Sequence, residues 1–200
     1  MAQKFVKNDA VFIGQIFKIF KAEKVTILTV ETTTEDNNGF NYRPHIYCFG
    51  NAKKVVDQHY KEGDYARFNC LVQSNPESRE HPGSPNHTIV LFNISQINPD
   101  NPRYKSVNRF AFFGRIISVR KTTDNSAVAT MFIYTTRANY IKIRFESDKK
   151  SDVDDFCLLQ PNESVWVYGK IATGRYRDDD GNTHYFETCT GNKFKKVDKK

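Results

Sequence analysis

Cysteine is scarce and scattered. The four in 200 residues, Cys48, Cys70, Cys157 and Cys189, form no CxxC pair and no Cys/His cluster, which argues against a zinc site. Cys48 and Cys70 fall in apolar strand-like runs, where a reduced thiol acts as a small hydrophobe and fits a reducing cytoplasm. No apolar run approaches the length that crosses a bilayer, and Met1-Ala2-Gln3-Lys4-Phe5 lacks the apolar core of a secretion signal. A cytoplasmic protein without a membrane partner is therefore expected. There is no Gly-rich phosphate loop and no nucleophile motif. Asp178-Asp179-Asp180 reads as a turn at a loop tip rather than a buried acid pair. These absences point away from an enzyme, a bound metal or a cofactor.

What the chain does carry is charge with a basic balance. Lys and Arg number 30 against 23 Asp and Glu, a formal net charge of +7, which favours an anionic partner such as nucleic acid. Aromatic and β-branched runs separated by polar turns dominate, so the chain reads as mostly β.

The chain also says nearly the same thing twice. Ala10-Val11-Phe12-Ile13-Gly14-Gln15-Ile16 opens one half and Phe110-Ala111-Phe112-Phe113-Gly114-Arg115-Ile116 the other. Each leads to a second run ending in paired threonines, Thr32-Thr33 and Thr135-Thr136. On that alignment Glu31 takes the place of Tyr134. Such a repeat implies two copies of one small domain. Strands are expected near 10–20, 25–33, 42–49, 64–74 and 87–97, then near 109–120, 127–136, 139–146, 164–175 and 182–190. Short helices fit 52–60 and 149–159, where apolar residues share a face. The domains read as 1–97 and 109–192, with 98–108 as linker and 193–200 as a basic tail. Five strands with a helix between the third and fourth is the order of an OB-fold, so the fold class is mainly β, two tandem OB-fold barrels. Gly14 and Gly114 lie inside first strands, where glycine suits a bulge or sharp bend.

The run from Val165-Trp166-Val167-Tyr168-Gly169 through Arg175-Tyr176-Arg177 to the Asp178–Gly181 turn and Tyr185 resembles the fourth strand, tip loop and fifth strand of the bacterial single-stranded DNA-binding protein family. Asn108-Arg109-Phe110 through Gly114-Arg115 looks like its first strand, and Cys48-Phe49-Gly50 and Lys61-Glu62-Gly63-Asp64 match more loosely in the first half. The resemblance implies binding of single-stranded DNA during replication, recombination or repair, with replication or recombination proteins as partners and no cofactor. The family's acidic tail is missing, since the chain ends in Lys199-Lys200; such divergence looks like a phage or mobile-element version. An OB-fold protein-interaction scaffold and an RNA-binding protein stay open as alternatives, as do monomer and dimer.

A non-specific single-strand binder needs aromatic faces for bases and cations for phosphates on one surface. Strand alternation supplies both. In the first half Arg43, His45, Tyr47 and Phe49 share the outward parity, with Pro44, Ile46 and Cys48 inward. In the second half Phe132 and Tyr134 point outward on one strand, and Tyr140, Lys142 and Arg144 on the next. The same aromatics could instead bury against the other domain. Lys18, Lys21, Arg115 and Arg120 lie at first strands, where they can line the groove. Arg175, Tyr176 and Arg177 can wrap a strand from a hairpin tip, stacking and pairing with phosphate. Trp166 and Tyr168 face away from the core and are expected between domains or chains. The second half is expected to bind more strongly, because the first has Glu31 and an aromatic-free loop at 74–85.

Overall fold

The computed structural model describes residues 8–32, 41–75, 87–101, 105–135, 137–181 and 183–197. The elements run β1 (Asn8–Lys21), β2 (Val25–Glu31), β3 (His45–Phe49), α1 (Gly50–His59), β4 (Tyr65–Ser74), β5 (His87–Gln96), β6 (Val107–Thr123), β7 (Ser126–Tyr134), β8 (Ala138–Glu146), α2 (Lys150–Cys157), β9 (Ser164–Arg177) and β10 (Thr183–Lys196). Burial alternates with period two along β2, β4 and β8, as their apolar and polar residues dictate.

β1 pairs with β2 and β4, β2 with β3, β3 in parallel with β5, and β5 with β4. These ladders close a five-stranded barrel with α1 between the third and fourth strands, the order of an OB-fold. β6 to β10 pair in the same cyclic order, with β8 and β10 parallel. An antiparallel ladder from Asn8↔Phe112 to Ile13↔Val107 joins β1 to β6.

Equivalent positions in the two halves do the same structural work. The buried Asn8 side chain donates to the Val72 carbonyl (2.7 Å) and accepts from the Val72 N–H (3.1 Å). Asn108 does the same with Ile171, at 2.8 and 2.9 Å. A Cβ on Gly14 would stand 2.1 Å from the Glu31 carbonyl oxygen, and one on Gly114 2.4 Å from that of Phe132. Glycine here admits the neighbouring strand's backbone. The bulges themselves fall just beyond, between Ile16 and Lys18 and between Ile116 and Ser118.

The buried apolar side chains form one cluster that runs through both halves, with Phe12 and Phe68 from the first and Phe112, Phe145 and Phe156 from the second among its largest members. Phe156 of α2 stacks on Phe145 (4.2 Å, 9°), and Phe194 sets its edge against both. Burying rings of this size is worth about 1.5–3 kcal/mol each. This is why β10 does not stop near 190. A register shift between Gly191 and Lys193 lets it run on to Lys196, so residues 193–196 of the expected tail are strand. The expected linker is shorter too, because β6 begins at Val107 and buries Asn108. Burial lifts the thiol pKa of the free cysteines, that of Cys48 to about 12, so they sit as neutral apolar groups.

Candidate nucleic-acid interface

The outer surfaces of β1, β2 and β3 form one sheet, and those of β6, β7 and β8 its equivalent. Cross-strand register fixes which side chains lie beside one another. In the first half three rows follow. Gln15 faces Glu31, whose carboxylate takes Arg43 Nη2 and Nε at 2.7 and 2.8 Å. The Arg43 guanidinium also lies 3.9 Å over the Phe17 ring, a cation–π contact. Next come Lys18, Thr29 and His45, then Phe20, Ile27 and Tyr47. Tyr47 stacks toward Phe49 at 6.5 Å and 17°, and Phe20 is 58% exposed.

The second half has the same rows with other residues. Arg115, Phe132 and Tyr140 form the first, with the two rings 5.4 Å apart. Ser118, Thr130 and Lys142 form the next, and Arg120, Val128 and Arg144 the last. Tyr134 is 57% exposed at the end of β7, opposite Ala138. This register corrects the alignment by paired threonines. Glu31 corresponds to Phe132, since each packs its carbonyl against the glycine of the preceding strand, and not to Tyr134. β7 runs past that point to Tyr134, so the threonine pairs are not equivalents.

The expected parity holds on β3, β7 and β8: Ile46, Cys48, Met131, Ile133, Ile141, Ile143 and Phe145 are buried. Arg43, Phe49, Arg115, Arg120, Tyr134, Tyr140, Lys142 and Arg144 are exposed, with Tyr47 and Phe132 half-buried. Besides Arg43, two further cations are partly committed. Lys21 reaches back to Asp57 of α1, 3.4 Å from its carbonyl, and Arg144 Nε bonds Glu146 at 2.7 Å. His45 is drawn to the other half. Glu187 Oε1 accepts its backbone N–H (2.6 Å) and contacts its Nδ1 (2.9 Å). That bond holds the His45 pKa above its ordinary value despite burial. Burial lifts the Tyr47 hydroxyl as well, aided by the Glu187 charge.

Sequence reasoning gave no role to Phe17 and Phe20. The bulge after Ile16 turns both outward, at 48% and 58% exposure. The repeat held a signal: Phe20 stands one hundred residues before Arg120, which was assigned to the face. Trp166 stacks on Tyr168 (6.0 Å, 12°) and lies tilted against Phe113 (5.1 Å, 35°) within the second half. Tyr168 also borders, with Asp9 and Val11 of β1, a shallow cavity of about 530 Å³ where the halves meet. Arg175 and Arg177 are exposed on β9, while the side chain of Tyr176 and residues 76–86 lie outside the described residues.

No protein-family model matches the chain, and no curated protein matches it in sequence. Among solved structures it is similar to the wild-type single-stranded DNA binding protein from Thermus aquaticus, at 10% identity and a TM-score of 0.68 over 96% of this chain and 94% of that one. A deletion variant of that Thermus aquaticus protein matches at 11% identity and a TM-score of 0.67, over 96% of this chain and 95% of the other. At such identities the likeness is one of fold, and it extends over nearly the whole of each chain.

Proposed function

We propose that this protein is a tandem pair of OB-folds that binds single-stranded DNA without strong sequence preference, coating exposed strands during replication, recombination or repair in the cytoplasm. The observation that carries this reading is the shared outer face of each half. Exposed or half-buried rings and exposed ammonium groups alternate within adjacent rows, at Phe20, Tyr47 and Phe49 beside Lys18, and at Phe132 and Tyr140 beside Lys142. Rings offer every base a π-face, and cations follow the phosphates whatever the sequence. The fold likeness and the net charge of +7 support the same reading. A strand binder of this kind performs no chemistry and needs no cofactor.

The test is a titration of the purified protein with oligo-dT, read by intrinsic fluorescence at several salt concentrations. Affinity should fall with salt at a log–log slope of about −0.7 per phosphate contacted. Phe132→Ala should weaken binding by about 1–3 kcal/mol with little change in that slope, because a stacked ring is lost and no cation. A flat salt response, or equal affinity for duplex DNA, rejects the reading. Equal binding by the Phe132→Ala variant rejects stacking at this face.

A further inference from the structure

The β9–β10 hairpin leaves its own half and lies on the other. The backbone N–H of Arg43 donates to Thr173 Oγ1 at 2.9 Å, and the backbone N–H of His45 to Glu187 Oε1 at 2.6 Å. Lys170 of β9 lies 5.3 Å from the Tyr42 ring. Thr173 and Glu187 are direct cross-strand partners, so one face of the hairpin is pinned to the start of β3. β10 pairs with β8 of its own half only at Cys189, Thr190 and Gly191, and the hairpin beyond is free of that ladder. Side chains two apart on a strand share a face. Arg175 and Arg177 therefore follow Thr173 on the side turned to the first half, and both are exposed.

We propose that the β9–β10 hairpin completes the binding face of the first half, with Arg175 and Arg177 gripping the phosphates of a strand whose bases lie on Phe20, Tyr47 and Phe49. This rests on the single-strand reading above. It moves the two arginines from the half that encodes them to the half that they touch. Glu187 is then a positioning residue. It takes no part in binding and seats the hairpin by holding the start of β3. The first half, whose own Arg43 is tied to Glu31, adds its neighbour's two guanidinium groups to its own Lys18.

The full chain tests this with oligo-dT of about 10 nucleotides, a length that one OB-fold accommodates. Two backgrounds are needed, Phe20→Ala with Tyr47→Ala, which disables the first face, and Phe132→Ala with Tyr140→Ala, which disables the second. Adding Arg175→Ala and Arg177→Ala should cost about tenfold or more where only the first face works, as expected for two charged contacts. It should cost less than about twofold where only the second works. An equal loss in both backgrounds, or the reverse order, overturns the proposal. Glu187→Ala removes a negative charge, which alone would tighten binding to a polyanion. Weaker binding through the first face is expected, and unchanged or tighter binding there overturns the seating role. If the parent protein fails to bind oligo-dT at all, it is the function that falls; a parent that binds while the backgrounds respond in reverse loses only the hairpin assignment.

Discussion

In the first half Phe20, Ile27 and Tyr47 lie side by side where the second half sets Arg120, Val128 and Arg144. Two rows away the chemistry reverses. Glu31 and Arg43 form an ion pair where Phe132 and Tyr140 form a ring pair. The positions that build the fold have been kept in register: Asn8 with Asn108, Gly14 with Gly114, and the bulge after Ile16 with the bulge after Ile116. The positions that face outward have not. A repeated scaffold thus carries two surfaces that would meet a strand with base contacts and charge contacts in opposite order. The expectation that the first half binds more weakly rests on Glu31 and its loop; Phe20 sets against it a ring that the second half lacks at that row.

The largest expected effect tests the structural side of this comparison. Asn8→Ala and Asn108→Ala each strand a buried N–H and a buried carbonyl, at about 1–3 kcal/mol apiece, so each variant should lose about 2–6 kcal/mol in urea denaturation. A loss in only one variant would mean that the halves are held together by different means.

A smaller effect tests the inverted row. Tyr47→Arg should steepen the salt dependence of oligo-dT binding by about 0.7 in log–log slope, and Arg144→Tyr should shallow it by about the same amount. If neither variant changes the slope, that row does not touch the phosphates and the inversion has no bearing on binding.

The smallest effect lies at the junction and is read in pH. The Glu187 bond holds the His45 pKa above 6.5, while burial holds that of His87 below it, beside Cys189 Sγ at 3.9 Å and within the field of Glu187. A histidine raised on folding contributes stability that is complete below pH 6.5 and is lost as pH climbs through the folded value. A histidine lowered on folding costs stability as pH falls from 6.5 through its folded value. The difference in melting temperature between parent and His45→Gln should therefore shrink above pH 6.5, and that between parent and His87→Gln should shrink below it. Parallel curves at all pH values would show that neither ring titrates against the fold.

Much of this was legible in the chain. The repeat at Gly14 and Gly114, the order of strands and helices, and the parity of β3, β7 and β8 rest on local periodicity, which alternating side chains state openly. What stayed hidden breaks that periodicity or lies far along the chain. Alternation cannot survive a bulge, so Phe17 and Phe20 went unassigned. Threonine pairs are common strand ends, and they misplaced Glu31 by two residues against β7. The extension of β10 through Phe194 depends on a ring cluster contributed by α2 and β8. The seat of the hairpin depends on His45 meeting Glu187 across 142 residues, a tertiary fact with no local trace.

The ladder between β1 and β6 sets Ala10 directly opposite Phe110, two residues that hold the same place in the repeat. Two separate identical chains meeting through this strand would have to put two copies of one residue there, small against small or large against large. Joined in one polypeptide, a methyl group faces a phenyl ring, and both are buried. Nor can dilution part them. Two separate subunits drift apart when scarce, whereas here each half keeps its partner at a concentration set by the connecting chain alone. The pairing of two unlike surfaces on one strand is thus independent of how much protein the cell makes.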